Sequence, residues 1–482
     1  MQQSKFIFLL KSLSKREQSK YRDLIFSPFF NKNKKVRQLV DICLQNAPDF
    51  EADVLQKQSL FPHLFGQSPY NELKINNVIS DALQLLYRYF GQMALQKDEI
   101  KLRPFIIEEL LERNQAQATD QQLKRYQQEL EPIEQQSETY YFQWMHLSDL
   151  RDRWSLMYGA RDYSHHLQQK NDALDQYYWC SKLRLACDME SRNKVINAHY
   201  RAHFLEDILH LYEAGHPVFD QQAVLKIYYK TLQMLRYESE ESHYHELKQL
   251  IAEHAGTLRR EELNDLYDYA QNYCVKKINS GQVHFYREIL DLYQLMSDKE
   301  ILLRGGYLSQ WSYINIITAG LRLKEYEWTE QFIYQYREYL PDEVKNNVFT
   351  YNLAALYFEK GAFHTALQTL QDVEFSDPFF HMSAKIIQLK SYFELRETEA
   401  FFSLVEATRK YIRRNRRLSD YQIKSNSNFI KLVARLYRLK TDVEYLPHQK
   451  YRERLHGLEQ DISKGKEVVN IGWLMQKLKE VS

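Results

Sequence analysis

Apolar residues recur three and four positions apart along nearly the whole chain, and no stretch alternates apolar with polar over the length of a strand. A period near 3.6 means helix and a period of 2 would mean strand, so the pattern predicts an all-helical protein. Helix starts are marked as well. Ser14 with Glu17, Thr119 with Gln122, Ser297 with Glu300 and Ser419 with Gln422 have the spacing of a capping box. In that motif the first side chain accepts from a free backbone N–H and the second reaches back. In residues 1–98 the spacing predicts four helices. One follows Ser14 and stops near Ser27 and Pro28, and one runs from Lys34 to Gln45. A third ends near Phe61 and Pro62, and a longer one after Pro69 contains VISDALQLLYRYF. From about residue 100 to 440, helical stretches alternate with short breaks at Gly159, Gly215, Gly256, Gly281, Gly305 with Gly306, Pro341 and Pro378. That is the rhythm of stacked helical hairpins.

Composition narrows the picture. The 482 residues include only 13 Gly and 10 Pro. Sheets need turns that draw on both, whereas long helices with short connections need few. The same scarcity weighs against phosphate-binding loops built from glycine. The 36 tyrosines suit half-buried helix seams, where the ring packs and the hydroxyl finds a partner.

Residues 351–378 read YNLAALYFEKGAFHTALQTLQDVEFSDP. Leu353, Ala354, Tyr357, Gly361, Phe363, Ala366, Leu370, Val373 and Pro378 fall at positions 7, 8, 11, 15, 17, 20, 24, 27 and 32 of a 34-residue unit. Small residues at 8 and 20 let two helices approach, large ones fill the seam, and the proline is expected to end the second helix. Tyr326, Ile333 and Pro341 repeat the later positions 37 residues upstream, and Ala400, Leu404 and Ala407 repeat them 34 residues downstream. Over residues 310–415 the chain resembles the tetratricopeptide repeat. The resemblance implies an all-α, right-handed superhelix of stacked antiparallel hairpins (a TPR-like solenoid), since a lone hairpin cannot bury its apolar face. The expected organisation is a basic helical unit over 1–98, a repeat array over 99–440 and capping helices over 441–482. The first unit reads either as a cap of the array or as a small DNA-binding bundle, and the cap is preferred.

The resemblance also implies a concave groove lined by fixed positions of each first helix. On this chain they fall on Trp311, Ile314, Thr318, Leu321 and Arg322, and on Val348, Tyr351, Ala355, Phe358 and Glu359. Relatives that clamp an acidic tail carry a Lys and an Asn where Tyr351 and Ala355 stand here. An apolar groove for an amphipathic helix or hydrophobic peptide is expected instead, with Trp311, Ile314, Leu321, Val348, Tyr351 and Phe358 as its anchors. The competing expectation is that the protein's own helices beyond Tyr445 fill that groove.

Charge is uneven. Residues 1–40 carry ten Lys/Arg against Glu17 and Asp23, and residues 409–482 carry a net +10. The whole chain is only +1, so the stretch between is strongly acidic. RKYIRRNRR at 409–417 places Arg409, Arg413, Arg414, Arg416 and Arg417 opposite Leu404, Ala407, Tyr411, Ile412 and Leu418 on a helix extended from Ala400 to Leu418. That is the pattern of a solvated face near a helix C-terminus. The alternative is a phosphate-binding ridge, supplemented by Lys32, Lys34, Lys35 and Arg37, in a nucleic-acid-binding or transcription-regulatory protein.

His199, His203, Glu206 and His210 have the spacing of one helix face, but a single straight helix rarely completes a metal site, and no metal is expected. Cys43, Cys180, Cys187 and Cys274 form no C-x-x-C pair and are expected to be reduced and buried. The apolar run at 6–10 is far shorter than the ~20 residues of a membrane span, so a cytoplasmic protein is expected. No Walker A, G-x-S-x-G, H-E-x-x-H or dinucleotide fingerprint occurs. The expected function is a non-catalytic scaffold for a protein or peptide partner, with no cofactor.

Overall fold

Residues 14–17 show how the local pattern becomes structure. The Ser14 backbone N–H donates to Glu17 Oε2 at 2.9 Å and the Glu17 N–H donates to Ser14 Oγ at 3.3 Å, closing the expected capping box. Ser419 and Gln422 close a second box with the same distances. The computed structural model describes the chain except for residues 2, 52, 160–164, 197–198, 299–300, 372–376, 416, 442–446, 464–466 and 482, and the side chains of 194–196 and 379. Among the described residues there are 24 α-helices and no strand. None of these helices is long and apolar enough to cross a membrane. The chain divides into two compact units, Met1–Leu232 with His254–Arg259, and Gln233–Glu253 with Arg260–Ser482.

The first unit opens with α1 (Lys5–Lys11), α2 (Lys15–Phe26), α3 (Lys34–Gln45), α4 (Lys57–Phe65) and α5 (Glu72–Lys97). These five bury one continuous cluster that runs from Phe6 to Tyr89 and includes Tyr21, Leu39, Phe61 and Leu86. The Tyr21 hydroxyl donates to the Ala82 carbonyl at 2.8 Å, tying α2 to α5. The expected helix end at Pro62 is corrected: α4 continues through Pro62 to Phe65. Losing one backbone donor is outweighed there by burial of Leu60, Phe61 and Leu64 on the core face. There follow α6 (Glu99–Glu112), α7 (Ala116–Leu130), α8 (Glu138–Tyr158), α9 (His165–Ile196), α10 (Leu205–Glu213) and α11 (Val218–Gln221). Arg103 of α6, 5% exposed, makes a two-pronged pair with Glu129 of α7 at 2.9 and 2.7 Å. Thr119 is no cap: it lies inside α7 and its hydroxyl donates to the Gln115 carbonyl at 2.8 Å. The division between the units falls within α12 (Ala223–Arg236).

The second unit continues with α13 (Glu241–His254), α14 (Arg260–Asn279), α15 (Phe285–Asp298), α16 (Gln310–Arg322), α17 (Tyr326–Tyr336), α18 (Asp342–Glu359), α19 (Phe363–Thr369), α20 (Pro378–Leu395), α21 (Thr398–Arg414), α22 (Asp420–Thr441), α23 (His448–Ser463) and α24 (Ile471–Val481). From α14 to α24 each helix packs on the next, and α16 with α18 and α18 with α20 also pack directly. Gly320 permits the close α16–α17 approach, because a Cβ there would stand 2.2 Å from Thr329 Oγ1. Two expectations are corrected. Ser297 lies inside the last turn of α15 and caps nothing, while Glu300 lies outside the described residues. Pro378 does not end α19; it is the first residue of α20, where a missing N–H costs nothing. Val373 lies outside the described residues.

Tyrosine fills the seams more deeply than the expected half-burial. Tyr21, Tyr126, Tyr228, Tyr244, Tyr267, Tyr313 and Tyr437 are among the largest fully buried side chains. All four cysteines are free and buried.

Candidate functional site

Helices α16 and α18 carry the ten predicted groove positions, and α20 packs directly on α18. Ser309 starts α16 by accepting from the Trp311 N–H, and Pro341 precedes α18. A concavity of about 150 Å³ is lined by Thr318, Leu321 and Arg322 of α16 and by Tyr351, Ala355, Phe358 and Glu359 of α18. Seven of the ten predicted groove positions therefore converge, although they come from two separate helices. Ser383, Ile386, Ile387 and Lys390 of α20 complete the wall, and Asn470, just before α24, lies at its edge.

The six predicted anchors do not share one environment. Trp311 is 53% exposed and Ile314 is half-buried. Leu321 and Phe358 are buried, with only an edge on the cavity, and Val348 is fully enclosed. Val348 thus belongs to the packing between helices; its carbonyl accepts from the buried Asn352 amide at 2.7 Å. Tyr351 is half-buried with a desolvated hydroxyl, and burial holds its pKa above the usual tyrosine value, an effect partly offset by the Ser383 hydroxyl and the Arg322 charge. Its ring meets Phe380 edge-on at 5.7 Å.

The residue that sequence reasoning missed is Lys390. It is 6% exposed, and its ammonium sits 4.5 Å from the Phe358 ring centre and 5.4 Å from that of Trp473. It donates at 3.5 Å to Asn470 Oδ1. Burial pushes its pKa down to about 8, opposed by Glu359 and reinforced by Arg322. The repeat pattern slips by one or two residues in this hairpin, so no template position pointed to Lys390. Asn470 and Trp473 are some 80 residues further on, and no local signal links them to Lys390. Trp473 packs on the cluster of Ala354, Phe358, Ala366 and Ile387, so the C-terminal segment closes the Phe358 end while Trp311 marks the open one. Of the chain beyond Tyr445, Asn470 thus borders the concavity and Trp473 packs on the cluster beside it.

The Arg ridge is shorter than expected. α21 stops at Arg414 with Asn415 as its cap, so Arg417 leaves the helix, and Arg416 lies outside the described residues. The buried face is Phe401, Val405, Thr408 and Ile412, which shifts the predicted face: Ala407 is exposed and Leu404 only half-buried. Thr408 tolerates burial because its hydroxyl donates to the Leu404 carbonyl at 2.7 Å. Arg409 pairs with Glu406 at 2.7 Å, and Arg413 and Arg414 are exposed in the last turn.

The histidine face is corrected too. α9 ends at Ile196 and α10 begins at Leu205, so His199 and His203 lie outside any helix and do not share a face with Glu206 and His210. A larger concavity of about 720 Å³ at the Gly305 and Gly306 turn includes Arg304, which is paired with Asp268 at 2.7 Å.

No protein-family model, curated protein or solved structure matches this chain.

Proposed function

We propose that residues 310–415 are a TPR-like run of hairpins within a right-handed superhelix, and that the protein is a non-catalytic, cytoplasmic scaffold. The inner row of α16, α18 and α20 receives an amphipathic helix or hydrophobic peptide of a protein partner. The observation that carries this reading is the convergence of Leu321, Arg322, Tyr351, Ala355 and Phe358 on one concavity beside the direct α16–α18 and α18–α20 packing. Trp311 and Ile314 supply accessible apolar area at the open end, and Arg322 and Glu359 orient the bound segment.

The test compares wild type with Trp311→Ala and Ile314→Asp in a tagged pull-down from the native cell, washed with high salt and nuclease. A partner retained by wild type and lost from both variants, with unchanged circular dichroism, supports the groove. A partner set identical in all three proteins overturns it.

A further inference from the structure

The connection between α2 and α3 carries a feature that the groove does not use. Phe29 is 87% exposed, more than any other large apolar side chain among the described residues. Its exposure is imposed by a braced turn. The Asn31 amide donates to the Ile25 and Asn33 carbonyls at 3.0 and 3.3 Å, and Arg37 donates to the Asn31 carbonyl at 2.7 Å. Phe30, half-buried itself, meets Phe29 edge-on at 4.9 Å. The braced backbone of the turn thus holds the ring out of the core.

The connection and the start of α3 are basic. No acidic residue occurs between Asp23 and Asp41, a stretch that holds Lys32, Lys34, Lys35 and Arg37. Lys32 and Lys34 are exposed and form no ion pair among the described residues. Lys35 lies 4.0 Å over the Phe65 ring, and the Arg22 and Arg37 guanidinium groups lie 4.5 and 5.8 Å over Phe26. The nearby acids are partly engaged: Asp41 pairs with Arg22 at 2.7 Å, and Asp81 accepts from the Asn33 amide at 3.4 Å.

We propose that this connection is a docking surface for single-stranded nucleic acid, with a base stacked on Phe29 and the flanking phosphates held by Lys32 and Lys34. An accessible ring among unpaired cations fits a ligand that alternates planar apolar faces with negative charge. A duplex hides its base faces. An inserting membrane loop needs more apolar surface than one ring, and here Phe30 is half-buried and Phe26 lies under two arginines. The surface lies in the first unit, and the proposal does not depend on the groove in the second.

The experiment titrates the full chain into fluorescein-labelled oligouridylate and oligothymidylate of about 20 nucleotides, read by anisotropy from about 50 to 300 mM KCl. Phe29→Ala is expected to weaken binding about tenfold at every salt concentration without changing the salt slope. Lys32→Ala combined with Lys34→Ala is expected to lower the log–log slope by about 1.4, near 0.7 per lost phosphate contact. The two oligomers distinguish RNA from DNA. All substituted positions are exposed, and circular dichroism checks that each variant folds. Absence of binding at the lowest salt, indifference to Phe29→Ala, or equal affinity for duplex overturns the proposal. So does loss, in these variants, of phosphatidylserine-vesicle binding or of self-association in place of oligonucleotide binding.

Discussion

The first five helices and the α16–α20 row solve the same problem differently. α1 to α5 converge on one cluster, and residues as distant as Phe6 and Tyr89 share it. Between α16 and α20 the apolar contacts pass largely along the chain: Ala354, Phe358, Ala366, Leu370, Ala384 and Ile387 link α18 to α20, and Trp473 of α24 is the one long-range addition among the described residues of this cluster. A shared core makes every member depend on the rest. A relayed core spreads damage only to neighbours, as in other quasi-one-dimensional stacks. The bundle is accordingly suited to holding a surface connection such as the one that carries Phe29. The row is suited to accommodating a segment along its face.

The sharpest way to break this contrast is Phe6→Ala. A fully buried phenylalanine in a shared cluster is expected to cost about 3–5 kcal/mol, with hydrogen-exchange protection falling across all of α1 to α5 together. Loss confined to α1 would show that the cluster is not cooperative. Gly320→Val tests the other side. Its side chain meets Thr329 at once, and the expected cost is about 1–3 kcal/mol, with protection lost in α16 to α18 but not in α22.

Lys390→Met has the opposite sign. The folded-state pKa lies near 8, below the ordinary 10.5, so the folded protein binds fewer protons than the unfolded one between these values. Stability therefore carries the full burial penalty below about pH 8 and rises toward pH 10.5. Replacement by Met is expected to stabilise at pH 7 by roughly 1–2 kcal/mol, since the ring contacts offset part of the penalty, and to abolish the rise. Urea melts at pH 7 and pH 9.5 decide this, and an unchanged pH dependence refutes it. Ser14→Ala removes a capping box on the bundle surface and is expected to cost about 1 kcal/mol in thermal melts. Trp311→Ala, at an exposed position, is expected to shift stability by less than about 0.5 kcal/mol while lowering partner affinity.

Much of this organisation was legible in the chain. The capping boxes at Ser14 and Ser419, the Lys34–Gln45 helix and the breaks at Gly159, Gly281 and Pro341 all follow from local chemistry. Where local signals misled, a tertiary term outweighed them. α4 runs through Pro62 because its flanking residues are needed in the core. Thr119 sits mid-helix because its position is fully buried in the packed structure, where the Gln115 carbonyl satisfies its hydroxyl. The buried face of α21 centres on Phe401 and Val405 because those are the side chains its neighbours can receive.

The sequence by itself determined that this is a helical protein, where some of its helices begin and end, and which positions of α16 and α18 could line a common surface. Helices are closed by bonds four residues apart, so their signals are local. Only the tertiary structure decided that Val348 is enclosed, that Trp473 and Asn470 cover Lys390 from some 80 residues away, and that Phe29 stands in solvent. Those outcomes depend on which helices pack against which, and apolar periodicity marks a buried face without naming its partner.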